Sequence, residues 1–316
     1  MGGGFSIIGA YFMIIMEQES RQVRVILWCY PRTLSTVLTK CLSFIEDIEV
    51  WFEPFTYCDI PNILYRAETG KDLPPEYTAE NSGEFAAAVR LFVEQLGVSP
   101  SSIEPERIAY GSVKQRLDST QSKFVLVKDM SVALRDETLR KYIPSGYQHV
   151  FLIREPMSAF RSYRKACIIR DKPKDEELYH VVRDDAYLTA DEFFPSLHSL
   201  WKYVRHNIDP NPMVINADDL KTDPGAVLKK FCAKTGLPYS DSLLRWDAST
   251  KVVKTWKACG ETLLHDLPIF FLDAATSSEF VASASKPVTR EELTEDVLRL
   301  VDVALPLYQE MNEYKV

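Results

Sequence analysis

The chain has 316 residues, 46% of them hydrophobic, and a formal net charge of −8. This length and apolar content are sufficient for a large buried core. So acidic a surface repels nucleic acid and anionic lipid overall, which excludes a general polyanion-binding protein and confines any anion site to a local basic pocket.

An apolar run, Phe5 to Met16, occupies most of the N-terminal segment. It is too short to span a bilayer and lacks the basic start of a signal peptide. The opening letters MGGGFS match the N-myristoylation pattern, in which Gly2 would carry the acyl chain and give the protein its membrane contact. A plain extension is the alternative. We therefore assign 1–20 to an N-terminal extension and 21–316 to a single α/β domain.

The cysteines stand far apart along the chain, at Cys29, Cys41, Cys58, Cys167, Cys232 and Cys259. They form no Cys-x-x-Cys pair and lie at no metal-ligand spacing from a histidine. This pattern is typical of buried, reduced thiols in a reducing compartment, so the sequence predicts a cytoplasmic protein without a metal site.

In chain order, the first predicted element is the buried strand Val23–Cys29, VRVILWC. Comparable apolar runs predict further strands at Glu49–Phe52, Phe124–Val127, His149–Ile153 and Met213–Asn216. Between them, helical periodicity predicts helices at Ser35–Ile45, Phe85–Leu96, Val132–Tyr142, Pro156–Cys167, Phe193–Asn207 and from Pro224 to near Gly236. Pro61–Pro75 and Asp171–Glu177 are predicted as loops, the second of them as a solvated loop or lid. Alternating strands and helices predict a three-layer α/β fold, with a mainly parallel central sheet and helices on both faces.

The loop after the first strand, Tyr30–Thr36, has the composition of an anion site. The following helix would direct its free N–H groups and its dipole at a ligand, and Arg32 would add a fixed charge with forked donors. Hydroxyls at Thr33, Ser35 and Thr36 could donate to phosphate oxygens. The alternative is a simple helix cap with a surface ion pair. A Walker A motif is absent from the loop, which disfavours ATP hydrolysis.

A second basic segment follows the fourth strand. Arg154, Ser158 and Ser162 are spaced four apart, so a helix would align them on one face at the carboxyl end of a strand. Such a face suits a second phosphate, although an ordinary solvated basic helix end has the same pattern.

Together, the Pro-Arg-x-x-Ser-Thr loop, the Arg154/Ser162 pair and the stretch Val214–Pro238 resemble the sulfotransferase superfamily. The resemblance implies its P-loop-nucleotide-hydrolase-like fold and the cosubstrate 3′-phosphoadenosine 5′-phosphosulfate (PAPS), with 3′,5′-adenosine bisphosphate (PAP) as product. It also implies which residues bind the nucleotide. The 5′ side would contact Arg32, Thr33, Leu34, Ser35 and Thr36, the 3′-phosphate would contact Arg154 and Ser162, and Lys254, Trp256 and Lys257 could close over it.

Two departures from the family pattern concern the chemistry. Leu34 stands where glycine is usual, and Lys128-Asp129-Met130 replaces the stretch that carries the histidine base of small-molecule enzymes. For the base we favour Glu53, which follows the second strand among aromatic residues, because a partly desolvated carboxylate is the stronger base. Asp129 is the reserve candidate, and Lys128 and Arg32 would stabilise charge on the transferred group and the leaving phosphate.

The sequence therefore predicts a PAPS-dependent sulfotransferase that needs no metal and acts on a hydroxyl or amine, with a small-molecule acceptor favoured. A non-catalytic nucleotide-binding or scaffolding member of the fold and a small-molecule kinase are the alternatives. The acceptor would be held by 56–77, 168–187 and the tail after Gly260, whose aromatic residues are Tyr57, Tyr65, Tyr187, Phe270 and Phe271.

Overall fold

The first strand, β1 (Val23–Cys29), forms the centre of the sheet, and its residues from Val25 onward have no exposed surface. Because side chains alternate across a strand, Leu27 faces one core while Trp28 faces the other. A strand that is apolar on both faces must be covered on both faces, as the sequence predicted. The computed structural model describes residues 22–99, 103–260, 263–266, 271–280 and 287–316.

The sheet within the described residues has five strands in the order β2-β3-β1-β4-β5, and every pairing is parallel. Val23 pairs with Phe124 and Cys29 pairs with Met130, so β1 and β3 end at the same level. The other four strands are β2 (Ile48–Phe52), β3 (Phe124–Met130), β4 (Gln148–Ile153) and β5 (Met213–Asn216).

Helices cover both faces of the sheet. The α-helices are α1 (Ser35–Leu42), α2 (Thr56–Thr69), α3 (Ser82–Leu96), α4 (Tyr110–Asp118), α5 (Pro156–Asp171), α6 (Val181–Asp184), α7 (Phe193–Asn207), α8 (Ala217–Thr222), α9 (Pro224–Thr235), α10 (Leu263–Asp266), α11 (Leu272–Ala275) and α12 (Glu295–Asn312). Short 3₁₀ helices lie at Pro105–Ile108, Ser131–Leu134, Glu137–Tyr142, Ala190–Glu192, Asp241–Leu244, Val253–Thr255 and Arg290–Glu292.

Each face of the sheet has its own apolar core. Leu38 of α1, Phe85 of α3 and Phe231 of α9 are among the residues that pack on one face. Phe160 of α5 and Trp201 of α7 are among those on the other face, where α12 also packs. The three-layer α/β fold predicted from the sequence is therefore confirmed.

One predicted loop is wrong. Residues predicted as the start of the loop Pro61–Pro75 belong to α2, which contains Pro61 in its interior. The helix forms despite this proline because Tyr57, Cys58 and Tyr65 on one side of it are buried, and tertiary packing outweighs local propensity. The segment predicted as one helix from Val132 to Tyr142 is two 3₁₀ helices.

The strand order places a topological switch point between β1 and β4. The chain leaves β1 towards β3 and β2 on one side, and it then crosses to β4 and β5 on the other side. Parallel sheets bind ligands in the crevice outside the carboxyl ends of the strands at such a point. The loops after β1 and β4 border this crevice.

The remaining predictions about membrane contact concern residues 1–20, which lie outside the described part of the chain. Within the described ranges, no helix combines the length and apolar character needed to cross a bilayer.

Candidate nucleotide and sulfuryl-transfer site

The loop between β1 and α1 has an unusual backbone. Arg32 and Leu34 both adopt positive φ angles, 70° and 67°, in the left-handed region that favours glycine. Leu34 is the N-cap of α1, and its apolar side chain does not cap the first N–H groups of that helix. These donors and the positive end of the helix dipole therefore lie where an anion would be stabilised.

The side chains of this loop divide into two groups. Arg32, Leu34, Ser35 and Thr36 line a cavity of about 250 Å³ beside the start of α1. The Thr33 hydroxyl, which was predicted to donate to phosphate oxygens, has a partner within the loop. The Thr33 side chain has no exposed surface, and its hydroxyl donates to the carbonyl of Tyr30 at 2.9 Å, so it closes the turn instead of facing the cavity.

The two predicted anion-binding segments meet in space. The Arg32 Nε donates to the Ser162 hydroxyl at 3.0 Å, and an Arg154 Nη donates to the carbonyl of Arg32 at 2.6 Å. Arg154 lines the 250 Å³ cavity and also a second cavity of about 640 Å³. The arginine and serine predicted for a 3′-phosphate are therefore adjacent to the loop predicted for a 5′ group.

The second cavity is locally basic although the whole chain is acidic. Its lining has four basic side chains and two acidic ones: Arg154, Arg161, Arg164 and Lys165 with Glu176 and Glu292. Ser158 and Ser162 also line it, as the four-residue spacing predicted. The excess of cations produces a positive field in a concave region, which concentrates anionic ligands.

Two residues that sequence reasoning missed help to build this site. The Tyr30 hydroxyl donates to the Arg154 carbonyl and accepts from the Arg154 N–H, both at 2.7 Å, and thereby joins the end of β1 to the end of β4. Lys221 of α8 lines the 250 Å³ cavity with Arg32 and Arg154. The sequence signal for Lys221 was its position just beyond the carboxyl end of β5.

Glu53 and Lys128 form a second group of charged residues, on the side of β1 where β2 and β3 lie. The Lys128 ammonium is ion-paired with the Glu53 carboxylate, and only 4% and 15% of these side chains are exposed. Lys128 also lies 4.7 Å from the centre of the Phe52 ring. Burial alone would lower the pKa of Lys128, but the adjacent Glu53 carboxylate opposes this effect and the pKa is raised. Lys128 therefore stays cationic.

Asp129, the reserve candidate for the base, has a different environment. It has no exposed surface, and its carboxylate accepts from the N–H groups of Phe55, Thr56 and Met130 and from the Thr56 hydroxyl. Burial raises the pKa of Asp129 to about 7, and the hydrogen bonds from Thr56 and Phe55 oppose that rise. Because its oxygens are engaged by the chain itself, the geometry favours Glu53 over Asp129 as the group that meets a substrate.

The structure does not place Trp256 and Lys257 over the nucleotide loop. The Trp256 indole N–H donates to the Ser43 hydroxyl at 2.8 Å, and its ring stacks on Phe52 with centroids 5.1 Å apart. Lys257 is ion-paired with Glu49 at 2.8 Å. Both residues, with Lys254, line a separate cavity beside the edge strand β2. The segment pairs its backbone with β2 and so follows the sheet edge, apart from the lining of the 250 Å³ cavity.

Residues 271–280 cover the 250 Å³ cavity instead. Phe271, Asp273, Ala274, Ser277, Glu279 and Phe280 are part of its lining. Of the aromatic residues predicted for an acceptor pocket, Phe271 packs on Phe52 with ring centroids 5.3 Å apart, while Tyr57 and Tyr65 are buried in a core. Tyr187 lies under Arg170, and Phe270 is outside the described residues.

A comparison with protein families decides the identity of the fold. The family model described as "Sulfotransferase domain" matches residues 102–313 of this chain. The chain belongs to the sulfotransferase family. In the described part of the chain, no group of three or more His, Cys, Asp or Glu side chains is arranged to hold a metal ion.

A curated relative of this family member is distant in sequence. A curated protein of Arabidopsis thaliana, "Branched-chain-amino-acid aminotransferase-like protein 2", is 25% identical over 224 residues, 70% of this chain. The alignment spans only 31% of the length of that relative.

Solved structures that are similar to this chain include the following two. The sulfotransferase domain from the Synechococcus PCC 7002 olefin synthase has a TM-score of 0.45 at 13% identity, with 90% of this chain and 96% of that chain covered. Mouse sulfotransferase SULT7A1, complexed with PAP, has a TM-score of 0.43 at 13% identity, with 96% and 94% covered.

Proposed function

We propose that this member of the sulfotransferase family transfers a sulfuryl group from PAPS to a hydroxyl or amine of a small acceptor. The observation that carries the proposal is the junction of the two anion-binding segments at Arg154. Arg154 touches the loop after β1 through the Arg32 carbonyl and borders both cavities. A nucleotide with anionic groups at both ends of its ribose needs two such sites side by side.

The orientation of the nucleotide is the one that the family resemblance implies, and this geometry is compatible with it. The phosphosulfate end would bind at the start of α1, with Arg32, Ser35 and Thr36 and the backbone at Leu34. The 3′-phosphate would bind Arg154 and Ser162, and Lys221 would add a further charge near Arg154. Ser162 accepts from Arg32 in the described structure, and a bound phosphate would compete for both side chains.

The chemistry would occur between the loop and the Glu53–Lys128 pair. The acceptor oxygen or nitrogen forms a bond to sulfur while the bond from sulfur to the 5′-phosphate oxygen breaks. The acceptor proton passes to the Glu53 carboxylate, and the leaving phosphate is stabilised by Arg32, Lys128 and the N–H groups at the start of α1. Lys128 is suited to this role because its ammonium is buried and remains charged.

A binding experiment tests the nucleotide site. Calorimetry with PAP, ADP and ATP is expected to give tightest binding for PAP, and Arg154→Ala should weaken it by about 10- to 100-fold through loss of charge-assisted hydrogen bonds. Arg290→Ala is the matched control, because Arg290 is exposed and pairs with Asp302. Equal affinity for PAP in wild type and Arg154→Ala would contradict the proposed site, and preference for ATP would indicate a phosphotransferase.

Turnover distinguishes the enzyme from a non-catalytic member of the fold. PAPS is supplied with a panel of phenols, alcohols and amines, and release of PAP is measured. Tight PAP binding without any release would favour the binding or scaffolding alternative.

A further inference from the structure

Two successive residues of β3 reach opposite faces of the sheet at its carboxyl end. Lys128 contacts Phe52 and Glu53, whereas the Asp129 carboxylate contacts the N-terminus of α2. Adjacent strand residues point to opposite sides, so both contacts follow from one strand register. That register also gives a backbone hydrogen bond of 2.7 Å from the Glu53 N–H to the Lys128 carbonyl.

The turn that presents Glu53 is strained. Glu53 has φ 55°, in the left-handed region, which is unfavourable for a residue other than glycine. Such a conformation persists only where its surroundings hold it. The N-cap residue of α2 is Phe55, whose side chain cannot accept a hydrogen bond from the first N–H groups of the helix. Another part of the chain has to supply the acceptor for these groups.

Asp129 supplies that cap. Its Oδ2 accepts from the Phe55 N–H at 2.6 Å, and its Oδ1 accepts from the Thr56 N–H at 3.1 Å and the Thr56 hydroxyl at 2.6 Å. Oδ1 also accepts from the N–H of Met130 at 2.8 Å, which fixes the carboxylate relative to its own strand. Asp129 and Thr56 have no exposed surface, so water does not compete for these bonds.

We propose that Asp129 is a positioning residue, which holds the turn 53–56 so that the Glu53 carboxylate remains beside Lys128 and in reach of an acceptor. The role assigned to Asp129 rests on the proposed function, in which Glu53 is the base. Asp129 itself touches no substrate. It acts through the backbone of the turn, and its loss should lower kcat without weakening nucleotide binding.

The central variant is Asp129→Asn, which keeps the size of the side chain but replaces one acceptor oxygen by an N–H₂ group facing the donors of the turn. With the acceptor that releases PAP fastest, kcat is expected to fall about 10- to 100-fold, since small displacements of a catalytic group have effects of this size. The Kd for PAP should change less than about twofold, because the loop after β1 and Arg154 are untouched.

Asp136→Asn is the matched control. Asp136 also accepts from the N–H and the hydroxyl of one threonine, Thr138, at the start of a 3₁₀ helix, but it contacts neither Glu53 nor Lys128. Thr56→Val is a milder second variant that removes only the hydroxyl donor and covers the case in which Asp129→Asn does not fold. Its kcat should lie between those of wild type and Asp129→Asn.

A double-mutant comparison separates positioning from general stability. If Asp129 acts through Glu53, adding Asp129→Asn to Glu53→Gln should reduce kcat no further than Glu53→Gln alone. Hydrogen exchange at the amides of Phe55 and Thr56 should rise by roughly 10-fold in Asp129→Asn and stay unchanged in Asp136→Asn.

The outcomes separate the two hypotheses. If Glu53→Gln lowers kcat but Asp129→Asn has the kcat of wild type, the positioning role is overturned and the proposed function stays intact. The same holds if the two losses in kcat multiply fully in the double mutant. A Glu53→Gln as fast as wild type would show that Glu53 is not the base, and the role of Asp129 would be overturned with it.

Discussion

At the scale of single residues, the buried histidine of β4 makes the free energy of unfolding depend on pH. His149 is 2% exposed, its Nδ1 accepts from the Trp28 indole N–H at 2.9 Å, and the two rings stack. His149 is therefore part of the packing between β1 and β4. Burial lowers the pKa of His149 to about 4, so the ring is neutral in the folded protein above that pH.

The pH dependence of stability follows from this shift. Between about pH 4 and 6.5 the unfolded chain binds a proton at His149 that the folded chain does not, so the free energy of unfolding should fall as pH decreases through this window. For His149→Asn, which retains an acceptor near Trp28, this part of the loss should disappear. Urea denaturation at pH 4.5 and 7.5 measures it, and an equal pH dependence in both proteins would contradict the explanation.

The Tyr30 hydroxyl is a second single group that contributes to stability. Burial raises the pKa of the Tyr30 phenol, so it stays protonated and can donate and accept at once. Tyr30→Phe leaves the N–H and the carbonyl of Arg154 without this partner and is expected to cost about 1–3 kcal/mol of stability. Denaturation midpoints check this value, with Tyr187→Phe as control because its hydroxyl bond is exposed. No change in the Tyr30→Phe midpoint would contradict the structural role.

At the scale of elements, the segment 271–280 is attached to α1 by an internal lysine. Lys40 has no exposed surface, and its ammonium donates to the carbonyls of Ala275 and Ser277 at 2.6 and 2.7 Å. The Trp246 indole N–H donates to the Ser277 carbonyl as well. The helix that begins at the proposed anion-binding loop therefore also holds the segment that covers the cavity.

Removing this attachment should loosen the covering segment. In Lys40→Met, two charge-assisted hydrogen bonds are lost, and we expect faster hydrogen exchange in 272–280 together with a several-fold weaker affinity for PAP. Lys229→Met, which alters an exposed lysine of α9, is the control. Unchanged exchange in 272–280 would show that other contacts suffice to hold the segment.

Elements with strong local signals were predictable from the sequence, and elements formed by tertiary contacts were not. The strand Met213–Asn216 and the helix Phe193–Asn207 have the predicted bounds, and α3 ends before Gly97 as predicted. The helix α2 was missed because its cap, Asp129, lies far away in the sequence. The same limit applies to the site. Arg32 and Arg154 were predicted from motifs, whereas the contacts of Tyr30 and the position of Lys257 depend on which segments meet in the fold.

At the scale of the whole molecule, the two cores lie on opposite faces of one sheet and contain all six cysteines. These are free and buried, and burial raises the pKa of Cys232, for example, to about 11. A thiol that is both inaccessible and protonated reacts slowly. We expect the native protein to react with a disulfide reagent at a rate limited by unfolding, and all six thiols to react at once in denaturant. Rapid reaction of several thiols in native buffer would contradict the described packing.

The Tyr30 hydroxyl that joins the ends of β1 and β4 has a consequence for ligand choice. Because it binds both backbone groups of Arg154, the end of β1, which leads into α1, and the backbone of Arg154 are held together by the sheet. If the nucleotide binds as proposed, this attachment would restrict the separation of its two anionic groups. The protein should bind a 3′,5′-bisphosphate more tightly than its 2′,5′ isomer. Tyr30→Phe should reduce the ratio of the two affinities.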